Sequence, residues 1–198
     1  MARRRALPTY LELEELDALF AAAEPQPRLY FLLCYRAGLR AFEAARLRWP
    51  DFQWQAEIPV SLRVRYGKRA KEALLPVDGA LAEALRTSYH LRRDDGWLFP
   101  ATRPRRPCRY CELEGLECGH ISTRTAQWWI VATAAAAGIE RRKAHLHALR
   151  HSYATHLVRG GANLRDVQDL LRHDNIQTTS RYLHSNPDRL RDAQGRLP

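Results

Sequence analysis

The sequence predicts a mainly α fold with a small antiparallel β-sheet. Three observations carry this. Apolar residues recur at three- and four-residue intervals through most of the chain, the spacing of one helical face. A single region, Ile58 to Val77, switches to alternation around a basic turn, the spacing of a hairpin. At 198 residues, 45% hydrophobic and 27% charged, the chain can bury a substantial core and does not have the composition of a disordered segment.

In chain order, Leu13, Leu16, Leu19 and Phe20 share one face of a helix over Glu12–Ala23. Pro25 and Pro27 break it. A buried helix follows over Arg28–Ala37, carrying Leu29, Tyr30, Leu32, Leu33 and a core Cys34, and Gly38 ends it. Ile58, Val60, Leu62 and Val64 form a strand whose early part Pro59 marks as an edge or an irregular start. Gly67–Lys71 is a basic turn bearing Lys68, Arg69 and Lys71, and Ala73–Val77 is the return strand. Asp78 caps a helix with Leu81, Leu85 and Tyr89 on one face, and Ser122 caps another that runs to Ala137 before Gly138. Leu146, Leu149, Tyr153 and Leu157 stripe a helix that Gly160-Gly161 ends. Asn163 caps a short helix with Leu164, Val167, Leu170 and Leu171, and a last helix over Thr178–His184 carries Tyr182.

Charge narrows the function. Lys and Arg total 32 against 22 Asp and Glu, a net charge of +10 that suits a polyanionic partner. No apolar run approaches the roughly 20 residues of a membrane span, and Met1-Ala-Arg-Arg-Arg leads into no signal-peptide stretch. Four cysteines do not make a secreted disulfide scaffold. The expectation is a cytoplasmic protein with no membrane partner.

Candidate chemistry lies in separated places. His147 and Arg150, three apart, share one side of a helix beside its apolar stripe, and an Arg fork matches a phosphate bidentately. Alone, that pair is common. It stands, however, with Ala37-Gly38-Leu39-Arg40-Ala41-Phe42-Glu43, with Tyr66-Gly67-Lys68-Arg69-Ala70-Lys71, with His147-Ala148-Leu149-Arg150-His151, with Leu170-Leu171-Arg172-His173 and with Thr178-Thr179-Ser180-Arg181-Tyr182. In this order and spacing the motifs closely resemble the catalytic domain of the tyrosine recombinases, the phage-integrase and Xer-type family, over about Tyr10–His184.

The resemblance implies the tyrosine recombinase catalytic-domain fold. It implies Arg40 and Arg150 as phosphate-clamping arginines, Lys68 as general acid, His147 and His173 as supporting histidines, Tyr182 as nucleophile and Glu43 as the acid that orients them. It further implies a 3′-phosphotyrosine intermediate, no cofactor for catalysis, double-stranded DNA as partner, and a homotetramer on DNA from protomers that are monomers in solution. Residues 1–9 would be a basic arm, 10–184 the catalytic domain and 185–198 a tail. Two other readings of these residues are a DNA-binding relative or accessory factor that does not recombine, and a strand-relaxing enzyme like type IB topoisomerases.

Two departures from the family pattern stand out. Arg172 occupies a position that is usually Gly, where a left-handed backbone would cost a side chain about 1 kcal/mol; its guanidinium could instead reach a phosphate. An insert at 103–121 holds Cys108, Cys111, Cys118 and His120 in a Cys-x2-Cys-x6-Cys-x-His pattern. Three thiolates and an imidazole suit tetrahedral Zn²⁺ in a structural role, because four protein ligands close the site. Arg103, Arg105, Arg106 and Arg109 beside it, like Arg69, Lys71 and Arg172, are candidate DNA contacts.

Overall fold

A computed structural model describes residues 9–65, 72–103, 106–172, 191–192 and 194–197. The helices within these residues are α1 (Leu13–Ala22), α2 (Pro25–Arg36), α3 (Ala41–Ala45), α4 (Gly79–Ser88), α5 (Arg109–Leu113), α6 (Thr123–Ala136), α7 (Leu146–Arg159) and α8 (Leu164–Leu171). The strands β1 (Phe52–Gln55), β2 (Ile58–Val64) and β3 (Ala73–Pro76) form an antiparallel sheet in the order β1-β2-β3. This is the expected class, mainly helical with one small sheet.

The core is organised around α2. Leu29 through Tyr35 are all buried, so the helix is enclosed on every side, and it packs against α7, α4, α3 and α6. Burial of each large apolar side chain contributes roughly 1.5–3 kcal/mol. The two tyrosine hydroxyls it buries find partners: Tyr30 donates to the Ala41 carbonyl at 2.5 Å, and the Tyr35 hydroxyl lies 3.0 Å from His156 Nδ1. The start of α2 corrects the expectation. Pro25 and Pro27 open the helix rather than precede it, because the first-turn N–H groups have no intrahelical acceptor and proline loses nothing there.

Four-residue β1 makes β2 the central strand, so of the two alternatives that Pro59 marked, an edge or an irregular start, the second holds. Pro59 is accommodated by an irregularity: Gln53 pairs with Ser61 but Trp54 pairs with Pro59, leaving Val60 over. That slip reverses the face on which the early side chains fall. Leu62 and Val64 are buried as the alternation requires, whereas Ile58 is exposed and Pro59 is buried in its place. The basic turn lies outside the described residues.

The caps follow the sequence closely. Asp78 accepts from the Leu81 amide at 2.8 Å, Ser122 from Thr125 at 3.0 Å, and Asn163 from Arg165 at 2.8 Å. At α7 the cap is His145, whose Nδ1 accepts from the Ala148 amide at 3.0 Å. With Nδ1 accepting, the ring is neutral and carries its proton on Nε2, which donates to Thr9 Oγ1 at 2.9 Å. The segment before α1 is further tied to α7 by the Leu11 amide, which donates to Ser152 Oγ at 2.8 Å.

Gly38 turns the chain from α2 into α3 with φ +58°, and a Cβ there would lie 2.8 Å from two ring carbons of fully buried Tyr153. Gly38→Ala is expected to destabilise by about 2 kcal/mol or more, combining left-handed strain with the clash. Thermal unfolding checks this; a drop of roughly 4 °C or more is expected for a chain of this size. His145 yields a pH dependence. Burial first, and then the nearby charge of His147, holds its pKa below the ordinary value. The neutral cap therefore contributes stability above about pH 6.5 that is lost as pH falls through the lower folded value. Denaturant midpoints should fall between about pH 7.5 and about pH 5.5. They should fall less in His145→Asn, which caps without titrating; equal falls would show that this cap does not carry the effect.

Candidate active site

The carboxylate of Glu43 is the centre of a buried ionic cluster. Glu43 sits in the first turn of α3 and is 3% exposed. Its Oε2 accepts from the Arg40 backbone amide at 2.7 Å, satisfying an amide that the helix start leaves without a partner. Its Oε1 accepts from Arg40 Nη1 at 3.0 Å, and Oε2 also takes Arg172 Nη2 at 2.7 Å. Burial alone would raise this carboxyl, but Arg172, the Arg40 amide, Arg40 and Arg150 more than offset it and hold it below the ordinary carboxylate range.

Arg150 completes the cluster from α7. It is 6% exposed, and its two Nη groups donate to the carbonyls of Gly38 and Leu171. One guanidinium thus joins the turn after α2 to the end of α8. Burial, followed by the charges of Arg172 and Arg40, pulls its pKa down to about 9. Among the described residues the cluster holds three guanidiniums and one carboxylate, in a largely water-excluded place.

Arg172 does adopt the left-handed conformation, with φ 53° and ψ 47° at the end of α8. Its side chain turns inward. Besides Glu43 it donates to the Leu170 carbonyl at 3.1 Å and the Gly38 carbonyl at 3.4 Å, and its own carbonyl accepts from Arg40 Nη2 at 3.3 Å. The guanidinium suggested for a phosphate is here a strut between α8 and α3. Losing its bond to a buried carboxylate costs about 1–3 kcal/mol, more than the strain of roughly 1 kcal/mol.

Of the residues singled out in the sequence, Arg40, Glu43, Arg150 and Arg172 come together. His147 projects from the first turn of α7 and is exposed, with its ring centroid 6.5 Å from that of His151. His151 itself is held below its ordinary pKa by burial and then by His147, His145 and Arg150. Lys68, Arg69, Lys71, Arg105, His173 and Tyr182 lie outside the described residues. Arg103, Arg106 and Arg109 are exposed on the insert. Sequence reasoning missed the Gly38 and Leu171 carbonyls as anchors for Arg150, because backbone acceptors leave no trace in residue type.

The insert also brings its four marked residues together. The ligand-type atoms of Cys108, Cys111, Cys118 and His120 all lie within 4.8 Å of one another, and all three thiols are unpaired by disulfides.

Arg172→Gly tests the strut. Relief of left-handed strain should be outweighed by the lost ion pair, so the variant should unfold at a lower temperature than the unmutated protein; a higher midpoint would show that strain dominates.

Comparison with known proteins agrees with the fold. The profile of the phage integrase family matches residues 9–189. A tyrosine recombinase of Thermosipho africanus is 33% identical over 98% of this chain and 63% of its own length. Tyrosine recombinase XerA of Thermococcus kodakarensis is 34% identical over 96% of this chain and 63% of its own. The integrase of mycobacterium phage Brujita superposes with a TM-score of 0.78 over 100% of this chain and 60% of that one; at 24% identity it bears on the fold alone. The chain spans about three fifths of the length of these relatives. Fold, ordered motifs and profile coincide, and the chain belongs to the phage integrase family of tyrosine recombinases.

Proposed function

We propose that this chain is the catalytic part of a site-specific DNA recombinase that breaks and rejoins strands through Tyr182. The observation that carries the reading is the arginine cluster. Its guanidiniums, partly desolvated and held in place by Glu43 and by backbone carbonyls, are preorganised donors for an anion. A phosphodiester brings one negative charge, and attack by a phenolate raises it to two as the phosphorus becomes five-coordinate. The cluster therefore gains most at the transition state, which is the condition for catalysis.

In this mechanism Arg40 and Arg150 hold the non-bridging oxygens of the scissile phosphate. Glu43 and Arg172 keep Arg40 in place. Tyr182 loses its proton to a neighbouring histidine, His147 or His173, and its oxygen attacks phosphorus. The bond to the 5′ oxygen breaks and Lys68 supplies the proton that this leaving group takes up. The product is a 3′-phosphotyrosine and a free 5′-hydroxyl. Because the phosphoester bond is kept, a second 5′-hydroxyl can reverse the step with no energy source and no catalytic cofactor.

The relatives named as tyrosine recombinases support the same reading. Double-stranded DNA is the substrate, with Arg69, Lys71, Arg105, Arg106 and Arg109 as candidate backbone contacts and a homotetramer as the working assembly. The catalytic domain occupies 10–184 between a basic arm over 1–9 and a tail over 185–198. A DNA substrate and the absence, among the described residues, of a helix long and apolar enough to cross a membrane favour work in the cytoplasm. The Cys108, Cys111, Cys118 and His120 cluster holds a structural Zn²⁺.

A pool of nicked duplexes of random sequence tests the reading, because loss of the short nicked strand traps the covalent intermediate. The unmutated chain should form a denaturation-resistant adduct that Tyr182→Phe abolishes and that Arg150→Lys reduces by about 100-fold or more, since Lys cannot reproduce the fork. DNA retention without any adduct would mark a binding protein instead. Exchange between two labelled duplexes separates recombination from simple relaxation.

A further inference from the structure

We propose that a Zn²⁺ ion at Cys108, Cys111, Cys118 and His120 is the buttress of the arginine cluster, locking the aromatic supports on which Arg46 and Arg48 rest and so fixing the segment that leaves α3. The proposal rests on the zinc reading above and adds a mechanical role to it.

The geometry of the four groups fits the ion. Cys108 Sγ lies 3.6 Å from Cys111 Sγ and 3.5 Å from His120 Nε2, and Cys118 Sγ lies 3.6 Å from the same nitrogen. Zn–S bonds of about 2.3 Å and Zn–N bonds of about 2.0 Å at tetrahedral angles give edges of roughly 3.5–3.8 Å. His120 is already oriented. Its Nδ1 donates to the Ile121 carbonyl at 2.7 Å, which places the ring's lone pair on Nε2, the atom facing the sulfurs. Three soft thiolates with one imidazole select zinc over magnesium or calcium.

The insert is a short stretch of chain. Helix α5 is five residues long, far below the length at which a helix persists alone. Its apolar cluster consists of Trp97, Tyr110, Cys111 and Cys118, with Cys108 and Leu116 packed beside them, so half of that cluster is the ligand set itself. Short backbone pairing adds to the anchorage: the Ala101 amide donates to Gly119 at 2.6 Å and Ile121 to Phe99 at 2.9 Å. Gly119 is required there, since a Cβ would stand 2.8 Å from the Trp97 indole nitrogen.

Two ligands are linked to the segment that leaves α3 by separate routes. Tyr110 precedes Cys111, and the Arg46 guanidinium lies 4.9 Å from its ring centroid and 5.5 Å from that of Phe42. Arg46 is the residue that ends α3, the helix of Glu43. The Trp97 ring is tilted at 60° to that of His120 with centroids 5.1 Å apart, and the Arg48 guanidinium lies 5.4 Å from a Trp97 ring centroid. The Arg48 amide donates to Asp51 at 2.8 Å, and Asp51 pairs with Arg65 at 2.6 Å, directly before the segment that carries Lys68. Cation–aromatic contacts of this kind hold only while the rings stay put, and a metal bond at the neighbouring residue keeps them there.

The test uses the full chain as purified. Metal analysis should give one zinc per chain, and Co²⁺ replacing it should show the intense visible bands of a tetrahedral thiolate site; both should vanish in Cys111→Ser. Hydrogen exchange is then read over residues 41–52. Exchange there should rise about tenfold in Cys111→Ser and in Tyr110→Ala, the latter retaining its metal, while Tyr110→Phe should match the unmutated protein. No bound zinc together with no cobalt spectrum would overturn the zinc reading and the buttress with it. Zinc present, with exchange over 41–52 unchanged in Tyr110→Ala, would overturn the buttress alone.

Discussion

A single buried carboxylate organises the functional end of this molecule. Glu43 takes the amide of Arg40, the side chain of Arg40 and the side chain of Arg172, and it sits in the field of Arg150. Without it three guanidiniums would face one another in a place with little water, where unscreened repulsion is several-fold stronger than at a surface. With it, they are drawn into one arrangement, rigid enough to be preorganised.

The same arrangement accounts for the backbone strain at Arg172. A glycine would relax the left-handed turn, yet it would remove the side-chain tie from the α8 end to Glu43 of α3. Here the chain accepts a local cost of about 1 kcal/mol for a tie between elements far apart in sequence. The inward turn of this side chain also means that the outward face of the cluster belongs to Arg40, whose side chain is 20% exposed, rather than to Arg172.

Much of the fold is legible in the residues, and what is not has physical causes. The stripes Leu13–Leu16–Leu19 and Leu146–Leu149–Tyr153–Leu157 mark α1 and α7 because periodicity reports burial directly. The start of α2 misleads because Pro25 and Pro27 break helices in the interior but open them at the first turn. Strand β1 is silent because Phe52–Gln55 is too short to show a period. At the site, Arg40, Glu43 and Arg150 stand out by motif, whereas no motif marks Arg46 and Arg48, whose aromatic partners Tyr110 and Trp97 lie far along the chain. His145 escaped notice because histidine is an unusual helix cap. Tyr182, Lys68 and His173 are known by sequence order alone.

Arg150 reaches a carbonyl 112 residues back along the chain and another 21 residues onward. Contacts of such separation are late events in folding, because the intervening polypeptide must be confined before they form. Helices α1, α2 and α4 can consolidate on a growing chain, but the guanidinium grouping has no partial version: until the polypeptide beyond Leu171 has emerged and docked, its members are merely isolated cations. A nascent or half-folded molecule therefore holds the members of the arginine cluster without the cluster, which arrives only with completion of the native topology.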